Sequence, residues 1–173
     1  MSFLVIGKTC TGKTTYSQSF QLCNINLDEL IREEHLDFGV YKNDAKGYLL
    51  AAIKRRAVPG EHYVLDGAIS DPILIEKICN YIPVSEVHLL IPANQKVHIS
   101  RVAKRLREEQ KNRKYSVPLW HKNHEEIIHH IQENTLENSP LLMEYVENAI
   151  KEAESRAQTI CKSIPTYIKR VYV

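Results

Sequence analysis

Residues 7–14, Gly7-Lys8-Thr9-Cys10-Thr11-Gly12-Lys13-Thr14, place two glycines five apart and follow the second with a lysine and a hydroxyl. That spacing suits phosphate chemistry. A backbone that bends at Gly7 and Gly12 turns its N–H groups toward one centre with no Cβ in the way, Lys13 brings a point charge to β- and γ-phosphates, and Thr14 offers an oxygen to Mg²⁺. Thr9 lies in the cradling part of the turn, and Thr15 follows within reach of an α-phosphate. The eight residues match the P-loop pattern G-x-x-x-x-G-K-[ST] at each fixed place. Lys8 adds a second cation, and Cys10 and Thr11 stand where such loops often carry glycine or serine.

A loop of this kind works between a strand and a helix. Phe3-Leu4-Val5-Ile6 is a short apolar run, as expected for a strand buried on both faces of a parallel sheet, and Lys13 to Phe20 reads as the helix opening on the loop. The unpaired N–H groups and partial positive charge of a helix start add to the attraction for an anion.

Two acids follow at strand ends. Cys23 to Leu27 reads as a second strand, and a helix begins at Asp28-Glu29-Leu30-Ile31-Arg32. Ligands of open parallel sheets sit beyond the carboxyl ends of the strands, so Asp28 either faces the phosphate loop or caps its helix. Tyr63-Val64-Leu65 is a third strand closing on Asp66-Gly67. Asp66 there matches the acid that holds Mg²⁺ directly or through water, with a turn-forming Asp-Gly as the alternative. Asp71-Pro72 reads as a helix cap and first turn.

Val87 to Ile91 supplies a fourth strand, and Asn94 to about Arg113 a polar, basic helix. Arg101 and Arg105, four apart, share one face, with Lys104 and Arg107 beside it. The choice is between a solvated face and a helical lid, over about residues 94–118, that delivers an arginine to a transferring phosphoryl group. His121, His124, His129 and His130 invite a metal reading, but no cysteine or well-spaced carboxylate completes a ligand set. Ser139-Pro140 opens a long helix whose apolar stripe, Leu142, Tyr145, Val146, Ala149, Ile150, Ala153, Ala157, Ile160 and Cys161, is read as core packing. Tyr167 to Val173 ends the chain as a strand.

At 173 residues the chain is expected to form one domain, a P-loop NTPase three-layer α/β sandwich with a five-stranded parallel sheet and a helical lid. The net charge of +2 implies no polyanionic partner by itself, yet charge is unevenly spread. Residues 101–114 carry seven basic and two acidic side chains, residues 125–154 eight acidic and one basic. Four cysteines without C-x-x-C spacing are read as reduced thiols of a cytoplasmic protein, Cys10 lying beside the bound phosphate. Neither a signal segment nor a membrane-length apolar run is found, so no membrane partner is expected.

Among P-loop classes, a GTPase needs N-K-x-D after the fourth strand, and Asn94-Gln95-Lys96-Val97 lacks the aspartate. Motor and helicase ATPases generally need a longer chain. A small kinase remains, using ATP and Mg²⁺. At this point Asn24-Ile25-Asn26-Leu27-Asp28-Glu29 resembles the N-I-N-x-D-D segment in the kinase domain of bacteriophage polynucleotide kinases. The resemblance covers roughly the first 125 residues. It implies transfer of the ATP γ-phosphate to a nucleic-acid hydroxyl, at a 5′ end or, as in related phage DNA-modification kinases, on a hydroxymethylated base. It also implies Asp28 as general base, Arg32 on substrate phosphate, and Arg101 or Arg105 as the lid arginine.

Two other functions share these features. A nucleoside monophosphate or nucleoside kinase has the same fold, loop and lid, and a monophosphate acceptor, already ionised, needs no base. A non-catalytic nucleotide-dependent nucleic-acid-binding module would bind ATP and phosphorylate nothing. For any nucleic-acid partner, the stretch Arg101 to Lys114 is the expected contact.

Overall fold

Alternation along the first strand, β1 (Ser2–Ile6), decides how the layers form. Leu4 and Ile6 join one hydrophobic cluster and Phe3 and Val5 another, so both faces of the sheet are apolar and both are covered. The computed structural model describes residues 1–33, 42–67 and 71–173. Their strands form one sheet, all parallel, in the order β2-β3-β1-β4-β5, with β2 (Cys23–Asn26), β3 (Tyr63–Asp66), β4 (Val84–Ile91) and β5 (Tyr167–Tyr172). The expected α/β class and five parallel strands are therefore what the chain adopts.

α1 (Lys13–Gln18) lies against the Phe3 and Val5 face, with Tyr16 and Phe20 packed on it. The opposite face carries the main core, fed by Leu27 and Leu30 of α2 (Leu27–Glu33), Leu49 and Ile53 of α3 (Lys42–Arg56), and Leu74, Ile75 and Ile78 of α4 (Pro72–Cys79). Asp71 caps α4 by accepting from the N–H groups of Ile73 and Leu74, with Pro72 in the first turn.

β4 begins three residues before the apolar run that marks it in sequence. Glu86 precedes that run and His88 interrupts it, but both are buried and satisfied: His88 Nε2 meets Glu86 Oε2 at 2.6 Å, His88 Nδ1 meets the Tyr16 hydroxyl at 2.9 Å, and Tyr167 donates to Glu86. Polar partners thus let a strand pass through the core where a hydropathy pattern breaks.

A second core lies beside the sheet. Ile99, Val102, Ala103 and Leu106 of α5 (Gln95–Asn112) pack with Val117, Trp120 and Ile127 around α6 (Trp120–Gln132) and with Leu142 and Val146 of α7 (Pro140–Ser163). Farther along, Ala153, Ala157 and Ile160 of α7 enter the main core, so one helix joins the two. The stretch read as a lid is thus anchored along a full apolar face. Asn94 caps α5 through the N–H groups of Lys96 and Val97, and Arg113 ends it in the left-handed region at φ 50°. Arg107 and Glu137 form a bidentate pair at 2.5 and 2.6 Å, tying the basic stretch to the acidic one. Among the described residues no helix is long and apolar enough to cross a membrane.

Candidate phosphate-binding cleft

Strand order sets the site. The chain leaves the central β1 for β2 and β3 on one side, then crosses to β4 and β5 on the other, so the end of β1 stands where the order reverses. Crevices at such points, beyond the carboxyl ends of parallel strands, are the usual ligand sites of open α/β sheets. Because β2, β3 and β1 are neighbours, the loop after β1, Asn26 at the end of β2 with Asp28 just after it, and Asp66 at the end of β3 converge at one edge.

The turn between β1 and α1 is tight. A Cβ on Gly7 would come within 2.6 Å of Thr11 Oγ1, and Gly12 takes φ 86°, so both positions need glycine. Cys10 also adopts a left-handed backbone, at φ 64°, an uncommon state for a residue with a side chain. The Lys8 carbonyl accepts from Thr11 N–H at 3.2 Å, Thr11 Oγ1 at 2.8 Å and Lys13 Nζ at 3.0 Å. Those bonds fold the lysine over the loop it serves.

Outside contacts hold the loop from two helices. His98 of α5 reaches the Thr9 carbonyl, Tyr145 of α7 and Arg105 of α5 line the cleft beside Thr9 and Cys10, and Lys8 pairs with Glu152 of α7. Burial pushes the Lys13 ammonium below the usual lysine range, while Asp28, then Asp66, work to keep it charged. Lys13 is the cation between two acids.

An open cleft of about 1260 Å³ lies over this loop. Its floor is Gly7, Thr9, Gly12, Lys13, Thr14 and Thr15, its side Asn26 and Asp28, and its far wall Arg105, Lys122 and α7. A single small ligand commonly occupies about 300 to 1,000 Å³, so there is room for two molecules side by side. The two readings of Asp28 separate here. Asn26 Oδ1 accepts the Glu29 N–H at 2.8 Å, so the amide caps α2 and Asp28 lines the cleft.

Arg101 and Arg105 also separate. Arg105 lines the cleft, whereas Arg101 lies with Lys104, Asn112 and Lys114 in a shallow groove of about 560 Å³ that shares Arg105 with it. The Arg32 side chain lies outside the described residues. Asp66 sits behind the floor at 1% exposure, and neither of its oxygens makes a hydrogen bond among the described residues. Burial pushes its carboxyl above the usual range, against the pull of Ser17 and Lys13.

A buried carboxylate without a hydrogen bond, one strand from the Thr14 hydroxyl, is a donor set that Mg²⁺ fits. Among the described residues no three His, Cys, Asp or Glu side chains gather as a metal-binding group, so the ion would arrive with phosphate oxygens completing its shell. His121, His124, His129 and His130 all fall on α6, where His124 packs its ring on Tyr115 and Trp120 and His130 bonds Thr135 Oγ1 at 2.8 Å.

Several cleft residues escaped the sequence reading. Asn123 breaks the helical geometry of α6 at φ −131° and ψ 29°, and no glycine or proline marks that kink. Glu144, Asn148, Glu152 and Arg156 all line the cleft along α7. Their spacing of four beside an apolar stripe was the available signal. Tyr145, read into the core stripe, is half-buried and faces the loop. No protein-family model matches the chain, and comparison with curated proteins found no match.

Proposed function

We propose that this protein is an ATP-dependent, polynucleotide-kinase-like phosphotransferase whose Gly7–Thr14 turn is a P-loop. Its acceptor is a hydroxyl of nucleic acid, at a 5′ end or on a hydroxymethylated base. The observation that carries the reading is the meeting of Lys13, Asp28 and Arg105 around one cleft whose floor is the glycine turn. A cation at the floor, a carboxylate at the side and a guanidinium opposite are the three parts that phosphoryl transfer to a neutral hydroxyl requires.

The loop amides and Lys13 would grip the donor's β- and γ-phosphates, with Thr15 near the α-phosphate. Mg²⁺, taken by Thr14 and by Asp66 through water, supplies neutralising charge across the phosphates when bound. Asp28 would orient the acceptor hydroxyl and take its proton as the oxygen bonds to the γ-phosphorus. The bond from that phosphorus to the bridging oxygen breaks, and ADP leaves with the electron pair. Arg105 would stabilise charge on the phosphoryl group in flight, and Arg32 and Arg101 would meet acceptor phosphates. The four free cysteines suit a reducing compartment, the cytoplasm.

A nucleoside or nucleoside monophosphate acceptor is the second reading. Glu144 on the far wall favours it, because a carboxylate facing a cleft welcomes neutral hydroxyl or amino groups and repels a phosphodiester chain. Incubation with γ-labelled ATP and a panel of nucleosides, monophosphates, 5′-hydroxyl oligonucleotides and hydroxymethyl-base DNA tests both. Label on the oligonucleotide or the modified DNA supports the first reading, and label confined to small acceptors replaces it with the second. ATP binding with no labelled acceptor would leave a nucleotide-binding module.

A further inference from the structure

In sequence Glu109 is merely an acid one helical turn after Arg105, and exposed pairs at that spacing contribute little. Its surroundings are not those of an exposed pair. Glu109 is 7% exposed, and donors surround both of its oxygens. Oε1 accepts from Arg105 Nε at 3.0 Å and from the Ser116 hydroxyl, while Oε2 accepts from Ser116 N–H at 3.0 Å, Val117 N–H at 3.1 Å and Trp120 Nε1 at 2.9 Å. Ser116 Oγ in turn accepts from Arg105 Nη2 at 2.8 Å.

We propose that Glu109 is a positioning residue, whose carboxylate locks Arg105 and the 116–120 connection into one unit that aims the guanidinium at the phosphate loop. The role of Arg105 in this statement rests on the kinase reading; the lock itself rests on geometry. Burial alone would push the Glu109 carboxyl up, but the hydrogen bonds from Ser116, Arg105, Val117 and Trp120 hold it below the usual carboxylate range. A buried carboxylate stabilises a fold no better than a well-packed apolar side chain, and what it adds is direction. Direction is useful here. With Nε and Nη2 held, the half-exposed guanidinium is kept from swinging away along α5, and it lines the cleft together with Cys10 of the loop. The same carboxylate fixes the start of α6, which carries Lys122 and Asn123 on the cleft wall.

A double-mutant cycle tests the proposal in the full chain. Glu109→Gln should lower kcat about 10- to 100-fold with KM for ATP within about threefold, and should cost less than about twofold once Arg105→Ala is present. An equal loss in both backgrounds, or wild-type turnover in Glu109→Gln, overturns it. Should Glu109→Gln fail to fold, Ser116→Ala takes its place, with a smaller loss that again vanishes beside Arg105→Ala; a persisting loss overturns the proposal. Trp120, the sole tryptophan, gives a readout that needs no nucleotide. Arg105→Ala should change its emission in the wild type and leave it unchanged in Glu109→Gln, and independent changes overturn the lock. An intact emission coupling in a protein that labels no acceptor would reject the kinase reading and keep the lock.

Discussion

His98 Nε2 donates to the Thr9 carbonyl at 2.9 Å, although 89 positions separate them. The other ring nitrogen is buried and makes no hydrogen bond among the described residues, and burial pushes the ring's pKa down, so the neutral form with its proton on Nε2 holds the loop. His98→Phe keeps the ring's bulk and removes the donor. ATP affinity should fall about tenfold, the scale of about 1 to 2 kcal/mol for a buried acceptor left unpaired. Calorimetric titration against His98→Gln, which retains a donor, checks it; equal affinity in the two variants would show that the loop keeps its shape without α5.

Asp28 and Lys13 line one cleft but should fail in different ways. Asp28→Asn is expected to bind ATP normally and to lose transfer by roughly 10² to 10⁴-fold, the range for a general base. Lys13→Ala should weaken both binding and transfer. Equilibrium binding and single-turnover rates on each variant separate these outcomes. Near-normal transfer by Asp28→Asn would point to an acceptor that is already ionised.

Asp66 should cost the fold stability at neutral pH. Its folded pKa is raised, mainly by burial, so the folded carboxyl holds its proton to higher pH than the unfolded one. The resulting destabilisation is present above the folded value and disappears as pH falls through it. Asp66→Asn removes that burden and should raise Tm by about 2 to 4 °C, equivalent to about 1 kcal/mol in a chain of this size, while Mg²⁺-dependent transfer falls. Melting curves at pH 7 decide, and a lowered Tm would mean the carboxylate is paired in solution.

His88 and Glu86 give the opposite sign. Burial, outweighing the pull of Glu86, holds His88 below the ordinary histidine value of 6.5, and Tyr167, then His88, hold Glu86 below the ordinary 4.5. An unfolded histidine takes its proton near 6.5 while folded His88 resists, so stability is full above that value and is lost as pH falls below it; Glu86 adds to the loss below 4.5. His98 contributes in the same direction. Denaturant unfolding from pH 7.5 to 5 should show falling stability, with a shallower slope in His88→Gln. An unchanged slope in that variant would remove His88 from the account.

The groove along α5 predicts a salt effect. Arg101, Lys104 and Lys114 line it, and the groove meets the cleft at Arg105. Oligonucleotide affinity should therefore fall steeply between about 50 and 200 mM salt, and Arg101→Ala should reduce the slope of log K against log salt by about 1. Fluorescence anisotropy at several salt concentrations measures it. A flat dependence would favour a small acceptor held by Glu144.

Much of the site was legible because its parts are local. A glycine turn with Lys13 and Thr14, an apolar run before it and an acid at each of two strand ends are short-range patterns, and each recurs in the structure where chain order puts it. Long-range relations were not legible. The choice of Asn26 over Asp28 as cap, and of Arg105 over Arg101 for the cleft, turned on where helices pack. Glu109 looked like one charge in a basic helix until four donors from residues 116–120 met it. Composition, periodicity and glycine spacing in this chain determined the layers, the parallel sheet and the tight strand-to-helix turn, because backbone sterics and apolar alternation act over a few residues. Which side chains share the cleft was decided only by tertiary packing, since burial and hydrogen-bond partners come from segments far apart in the chain.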